Sequence, residues 1–314
     1  MARYILTRLL QAVFVLWAAF TVSFILLQAL PGDEILIKFE NPDLGLSKQQ
    51  IADIRLAYGA DVPLHQQYLF SLGRVLSGQL GNSIQRGVPV IDAIAANLPS
   101  TLRLTVLGFV TAASLALVIA FLATLTPFAF LRSLLRGLPS RFISRPGFWL
   151  GIGVIQIFSF QLKLIPVIGA GPWEGLVLPV LALAIPISAP LAQVLMRSID
   201  EVETQGFVAV ARAKGASRRW VLWRHVFRNA VPPTLTIGGV LFGELLAGAV
   251  VTETVFGLNG LGRLTEQAVN LQDAAILQAI VLIAALGFVL VNLSVDLVMP
   301  ILDPRLRKAF GGAS

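Results

Sequence analysis

Residues 206–229 read GFVAVARAKGASRRWVLWRHVFRN and lie between two long apolar runs. The segment is too basic to sit in lipid, and its apolar residues recur at helical spacing, which a slack linker does not need. Alanines up to Ala213 favour a helix, and Gly215 interrupts that helix as a C-terminal glycine does. Ser217 can cap a second short helix. The sequence therefore predicts a helix, a glycine turn and a second helix against a membrane.

Two interpretations of this segment stay open on pattern alone. A basic amphipathic segment can be held to anionic lipid. The same segment can be the docking element of a soluble cytoplasmic partner. Lipid anchoring needs no glycine at a fixed break, and the neighbouring apolar runs already anchor the chain, whereas a docking element of defined shape uses both features.

The rest of the chain has the composition of a multi-span membrane protein. Of its 314 residues 56% are hydrophobic and 13% are charged, roughly half the charged fraction of a soluble domain. A net charge of +7 fits the Lys and Arg that collect in cytoplasmic loops, so nucleic acid is not the expected partner. The chain has no cysteine, which excludes disulfides and thiolate chemistry. The two histidines, His65 and His225, are far apart, which argues against a histidine metal site.

The apolar blocks predict an all-α polytopic membrane protein with six transmembrane helices. Each block can supply the ~20 residues that cross the hydrocarbon core, and only helices satisfy the backbone there. The predicted spans are residues 5–30, about 101–125, a third that ends near 164, 176–196, 230–252 and 274–302. The start of the third span stays open between residues 134 and 147.

The distribution of Lys and Arg predicts that both termini are cytoplasmic. The predicted organisation is an N-terminal span (1–30), an extracytoplasmic helical subdomain (31–99), a five-helix core (100–302) that contains the segment 198–229, and a cytoplasmic tail (303–314). Within the subdomain, residues 47–58 and 65–76 place apolar side chains at helical spacing, so both are expected to be helices.

At residues 206–229 the sequence resembles the permease subunits of ABC importers, specifically the dipeptide/oligopeptide/nickel branch. The pairs Phe207-Val208 and Arg224-His225 and the runs 211–215 and 228–230 are similar to the branch's cytoplasmic coupling motif. Other matches lie in the same order along the chain, at 3–5 with 8–10, 31–33, 80–83, 89–90, 98–102, 148–151, 253–256, 260–264, 291–296 and 303–305. Gln79 and Asn259 depart from the residues that often stand at their positions in the branch.

The resemblance implies a working assembly in the bacterial inner membrane. Two homologous permeases form the path, two cytoplasmic ATPases bind the coupling segments, and an external binding protein delivers the substrate. ATP and Mg²⁺ are then expected only in the ATPases, because this chain has no phosphate-binding G-x-x-x-x-G-K-[ST] motif. It is expected to bind no cofactor and to be no enzyme. The implied coupling residues are Ala209, Ala211, Arg212, Ala213, Lys214, Gly215, Arg219, Arg224, His225, Arg228 and Asn229.

Two other classes of function compete with a permease subunit. A stand-alone secondary transporter or channel would favour inverted repeats and matched broken helices, and none is evident in the sequence. An intramembrane enzyme would need a histidine cluster, a nucleophile motif or paired carboxylates, which the sequence lacks. The substrate stays open among a dipeptide, a longer peptide, a glutathione-like peptide, nickel and a metal chelate.

Polar residues at predicted membrane depth form a second candidate set, since ionisable groups inside spans usually face a cavity or a partner. For Asp296 we favour a structural partner. The two arginines Arg141 and Arg145 point into the pathway if the third span starts near residue 134, and are ordinary cytoplasmic charges if it starts at 147. In the first case they and Glu244 contact a zwitterionic or anionic substrate. The candidate pathway residues are Arg141, Arg145, Trp149, Glu244, Glu253, Asn292 and Asp296.

Overall fold

The computed structural model describes residues 2–29, 34–40, 44–58, 62–144, 146–166, 169, 171 and 173–302. Within these ranges the chain forms helices, turns and loops, with one isolated β-bridge between Asn82 and Pro89. The predicted all-α fold class is confirmed. The sequence positions Arg145, 31–33 and 303–314 lie outside the described residues.

Thirteen α-helical segments follow one another along the described chain, two of them extended by a π-helical turn. They are α1 (Ala2–Ala29), α2 (Glu34–Phe39), α3 (Lys48–Tyr58), α4 (Leu64–Leu76), α5 (Val90–Leu125), α6 (Ala129–Ile143), α7 (Gly147–Val154, then a π turn Ile155–Gln161), α8 (Glu174–Glu203), α9 (Gly206–Ala213), α10 (Arg218–Val221, then a π turn Leu222–Val226), α11 (Phe227–Phe256), α12 (Leu261–Asn270) and α13 (Ala274–Leu302).

Five helices of the described chain are long and apolar enough to cross a membrane: Leu6–Ala29, Val90–Leu125, Glu174–Glu203, Arg218–Phe256 and Ala274–Met299. The predicted third span corresponds to Gly147–Gln161, an apolar helix that is shorter than the others. Pro146 lies at its N-cap, where a missing N–H costs nothing, and α6 before it is a separate helix. The third span therefore starts at 147, and the alternative start near 134 is wrong.

Two predicted spans begin much earlier than the sequence indicated. Helix α5 starts at Val90 and runs through Pro99, which the sequence suggested as a boundary. Proline removes only its own hydrogen bond, and the burial of Val90 and Ile94 holds the first turns of α5 in place. The helix that contains the fifth span likewise begins at Arg218 and not at residue 230.

One of two compact units combines residues 10–101 with 258–287. Its core is formed by Val90 and Ile94 of α5 together with Leu261, Leu264 and Ala268 of α12 and Ile276 and Ala279 of α13. The hydroxyl of Ser83 donates to the Asp273 carboxylate, and Asp273 Oδ1 accepts from the Ile276 N–H at 3.2 Å. Asp273 thus caps α13, as Asp commonly does at helix N-termini.

The other unit includes residues 102–257 and 288–302. Helix α8 lies at its centre and packs against α6, α7 and α11. Its buried side chains recur on most of its circumference, among them Leu183, Leu191, Leu195 and Ile199. A helix that is apolar nearly all round is one that other helices surround.

Glycines allow α11 and α13 to approach closely. A Cβ at Gly239 would lie 2.9 Å from Asn292 Oδ1, and a Cβ at Gly243 would lie 2.9 Å from Phe288 Cδ2. Small residues four apart are a common means of close helix packing in membranes, where van der Waals contact replaces the hydrophobic effect.

We expect Gly243→Ala to lower the free energy of unfolding by about 1–3 kcal/mol, because the added methyl group overpacks the contact with Phe288. Thermal unfolding of the purified protein in detergent measures this. Gly153→Ala is the matched control, since a Cβ at Gly153 meets no atom within 4 Å. Equal effects of the two substitutions would contradict the close approach at Gly243.

Candidate functional site

Gly215 forms the turn that the sequence predicted. Its φ is +85°, in the left-handed region that glycine adopts without strain. The Gly215 N–H donates to the Arg212 carbonyl at 2.9 Å, and the Ala216 N–H donates to the Ala211 carbonyl at 3.2 Å. These two bonds are a Schellman motif, which satisfies the last carbonyls of α9. A Cβ at Gly215 would meet no atom within 4 Å, so the backbone conformation, and not crowding, requires the glycine.

Ser217 caps the next helix as predicted, because its Oγ accepts from the Trp220 N–H at 3.3 Å. The predicted separate second helix is wrong in its extent, however. Helix α10 continues through the π turn into α11 as one apolar helix from Arg218 to Phe256. No glycine or capping residue interrupts residues 218–229, so the helix has no reason to stop before the span.

Four apolar side chains of residues 206–229 are buried. Val208, Val221, Leu222 and Val226 are all at most 1% exposed, whereas Val210, Trp220 and Trp223 are exposed by about half or more. The ring of His225 is half-buried beside two aromatic rings. Its centroid lies 4.9 Å from Trp220 and 6.4 Å from Phe207 of α9. His225 thus joins the two sides of the turn.

The basic side chains of the segment form an exposed surface, which we call the basic turn surface and define by Lys214, Arg218, Arg219, Arg224 and Arg228. No ion pair within the described part of the chain includes any of these five. Beside them Ala209 and Ala213 are exposed, and such small side chains allow another molecule to approach the helix backbone closely.

The remaining coupling residues serve local structure. The guanidinium of Arg212 pairs with Glu203 at 3.2 Å, across the break between α8 and α9. Asn229 Nδ2 donates to the His225 carbonyl at 2.7 Å. Ala211 is half-buried. These residues hold the shape of the turn and leave the basic turn surface without an ion pair in the described part of the chain.

A bidentate ion pair lies near the carboxyl end of α8. It was not predicted from the sequence. Arg136 Nη1 and Nη2 donate to the two Asp200 oxygens at 2.9 and 2.8 Å. This hydrogen bonding raises the pKa of Arg136 above its ordinary value, so the guanidinium stays charged. The pair joins α6 to α8. The sequence showed Arg136 only as one of several basic loop residues, because its partner lies 64 positions away and no local pattern links them.

The candidate pathway residues are spread over several helices. Arg141 is exposed near the end of α6, a helix that is not among the membrane-spanning ones. Trp149 lies half-exposed in α7, and Glu244 is exposed in the middle of α11. Glu253 is 0% exposed in the last turn of α11. Arg141 and Glu244 form no ion pair with each other.

Two candidate pathway residues on α13 have structural partners. Asn292 Nδ2 donates to the Phe288 carbonyl at 2.9 Å and approaches the Gly239 carbonyl at 3.4 Å, which places the amide between α13 and α11. The Asp296 carboxylate pairs with Arg8 Nε of α1 at 3.1 Å. These contacts favour the structural interpretation of Asp296.

No group of three or more His, Asp and Glu side chains in the described ranges could hold a metal ion. The most distinctive feature is instead a basic helix–glycine turn–helix between two apolar spans. Together with the long apolar helices it defines a polytopic helical membrane protein.

The chain belongs to the family of binding-protein-dependent transport system inner membrane components. The model of that family matches residues 90–308, and the model of its N-terminal region matches residues 1–105. The protein is therefore an inner-membrane permease subunit of an ABC importer that works with ATPase and binding-protein partners. In this family the ATPase activity resides in separate subunits.

Full-length relatives support this assignment. The glutathione transport system permease protein GsiC of Salmonella typhimurium is 35% identical over 307 residues, 98% of this chain and 99% of that protein. The protein of the same name from Escherichia coli K12 is 33% identical over the same length. An inward-facing structure of the MetNI methionine ABC transporter shares the fold, with a TM-score of 0.58 at 16% identity over 68% of this chain and 97% of that one.

We expect Arg8→Ala and Asp296→Ala to lower stability by similar amounts, and the double variant to lose little more than either single one. The reason is that one ion pair is removed in each case, with a coupling free energy of about 0.2–1 kcal/mol for a partly exposed pair. Thermal unfolding of the four proteins gives this coupling. Transport per assembled complex should be unchanged. A loss of transport in Asp296→Ala without a loss of stability would mean that Asp296 acts in the transport pathway and not as a structural partner of Arg8.

Proposed function

We propose that this permease imports a small peptide-like substrate and that residues 206–229 receive the motion of an ATPase subunit that drives the import. The observation that carries the coupling role is the basic turn surface, whose five cations have no partner within the described chain. Unpaired cations beside exposed alanines suit an acidic groove of another protein, where complementary charge fixes orientation.

Because the helix is continuous, it can transmit a movement of the turn to the membrane span. The residues that carry the basic turn surface from Arg218 onward belong to the same 39-residue helix as the fifth span. A displacement of the turn therefore moves the span through one continuous helix, which contains Pro232 and Pro233, and two such subunits can rock between inward- and outward-facing states. The Schellman turn, the Ser217 cap and the ring of His225 hold α9 against the start of this helix.

The proposed assembly contains a second, homologous permease, two ATPases and a binding protein. ATP and Mg²⁺ are held by the ATPases and not by this chain. Both termini and residues 206–229 face the cytoplasm, and residues 31–99 face the binding protein. The bias of Lys and Arg toward one set of loops supports this orientation.

A peptide-like substrate is supported by the full-length similarity to permeases named for glutathione transport. Glutathione carries both signs of charge, so a path for it needs polar groups at membrane depth. Glu244 is exposed in an apolar span and is in no ion pair within the described residues, and an ionisable group in that position faces a cavity or a partner. We place Glu244 on the path.

We expect Gly215→Pro to insert into the membrane normally but to lose co-purification of the ATPase and ATP-dependent uptake. Proline fixes φ near −65° and lacks the N–H that Gly215 donates to Arg212, so the Schellman turn cannot form. Gly215→Asn is the matched control, because asparagine tolerates the left-handed conformation. It should retain most of the uptake.

The measurement compares membrane content, ATPase retention and uptake in the same vesicles. Normal coupling in Gly215→Pro would contradict the assigned role. Failure of Gly215→Pro to insert would give residues 206–229 a merely structural function.

We expect Glu244→Gln to lower uptake of radiolabelled glutathione by proteoliposomes that contain the assembled transporter and its binding protein. The substitution removes a charge that contacts the substrate, and ATPase assembly should remain intact. Uptake of a dipeptide and of Ni²⁺ in parallel identifies the substrate class. Unchanged uptake of every substrate in Glu244→Gln would rule out the assigned role of Glu244.

A further inference from the structure

Helix α4 has an apolar side that is only partly covered. At about 100° per residue, one side carries Leu64, His65, Tyr68, Leu69, Leu72, Val75 and Leu76, with Ser71 at its margin. The other side carries Gln66, Gln67, Phe70, Gly73 and Arg74. No residue of α4 is fully buried, and Leu69 and Leu76 are 63% and 79% exposed. A helix with this pattern needs an apolar neighbour beyond those it has.

Two adjacent residues of α4 contact α1 at different heights. Gln67 Oε1 accepts from Gln28 Nε2 at 3.2 Å, next to the last residue of α1. The Tyr68 ring lies deeper, with its centroid 5.5 Å from Phe20 and 5.4 Å from Phe24. Tyr68 and Thr21 also share a hydrogen bond of 2.9 Å between their hydroxyl groups. Since α1 is a candidate span over Leu6–Ala29, Tyr68 reaches the level of the hydrocarbon.

These two contacts fix the orientation of α4. Gln28 and Phe20 are eight residues apart on α1, about 12 Å along its axis, whereas Gln67 and Tyr68 are neighbours on α4. Helices that run side by side would have equal separations, so α4 lies across α1. Tyr68 points toward the middle of the membrane and Gln67 toward its surface.

The same orientation applies to the rest of α4. Leu69, Leu72 and Leu76 are on the Tyr68 side and therefore face the bilayer, whereas Gln66, Phe70 and Arg74 face away from it. No Asp, Glu, Lys or Arg lies on the bilayer side. An interfacial helix typically buries its apolar face ~5–10 Å into the boundary between headgroups and acyl chains, which is the depth that Tyr68 defines.

We propose that α4 is an interfacial helix, embedded in the bilayer surface at the carboxyl end of α1, and that lipid acyl chains cover Leu69 and Leu76. At the same height α1 itself exposes Val22, Ile25 and Leu26, each by more than half. The exposed apolar side of α4 therefore lies at the same depth as the exposed apolar surface of α1. The 31–99 subdomain is then held to the membrane along α4 and not only at the ends of its flanking spans.

Single cysteines test this directly, because the chain has none. Leu69→Cys and Leu76→Cys, each carrying a nitroxide label, are compared with Gln66→Cys and Phe70→Cys in the assembled transporter in liposomes. Phe70 is the matched control, since it is apolar and 68% exposed but lies on the other side of α4. Oxygen concentrates in lipid and the nickel complex Ni-EDDA in water, so the collision rates of the label report its surroundings.

We expect labels at 69 and 76 to collide several-fold more often with oxygen than with Ni-EDDA, and labels at 66 and 70 to show the reverse. Equal, high Ni-EDDA collision rates at all four positions would place α4 in water and overturn the proposal. Low collision rates with both reagents at 69 and 76 would mean that a protein subunit covers them, which also overturns it. Membrane content and uptake of each variant confirm that the labelled proteins are assembled.

Discussion

The continuity of the helix from Arg218 to Phe256, which runs through Pro232 and Pro233, is the constraint on which the rest of this molecule depends. Hydrocarbon contains no water, so every N–H and C=O in a span must find its partner within the helix. The π turn at Leu222–Val226 accommodates an irregular stretch without ending the helix. A basic, water-facing surface and a membrane span are therefore parts of one rigid element, and Gly215 marks the place where the chain can turn before that element begins.

Different kinds of contact hold the helix Arg218–Phe256 near the basic turn surface and within the span. Near the basic turn surface, Trp223 and Phe227 pack with Phe121 of α5, with ring centroids 5.0–5.3 Å apart. Within the span, Gly239 and Gly243 admit α13 to close contact. Aromatic contact near the water and small residues at depth are the two arrangements that membranes favour, since amphipathic rings suit the interface and close van der Waals packing suits the hydrocarbon.

Polar side chains divide into those that hold the fold and those left for other molecules. Asp273, Asn292 and Asp296 have partners within the chain and fix helix ends or helix pairs. The basic turn surface has no ion-pair partner in the described part of the chain. Leu69 and Leu76 of α4 are likewise left for other molecules, because they are 63% and 79% exposed in the described part of the chain. We expect the assembled importer to supply an acidic partner at the basic turn surface and lipid at α4.

The sequence by itself determined the helical fold class, the last span at 274–302, the helices predicted at 47–58 and 65–76, and the glycine turn with its Ser217 cap. Each of these is local, since apolar runs, capping residues and glycine act within a few positions. The tertiary structure decided the start of α5 at Val90, the fusion of α10 with the fifth span, the pairing of Arg136 with Asp200, and the way α4 lies across α1. These depend on residues distant in sequence, whose contacts offset the local cost of a proline or select among equally helical alternatives, so no local pattern could reveal them.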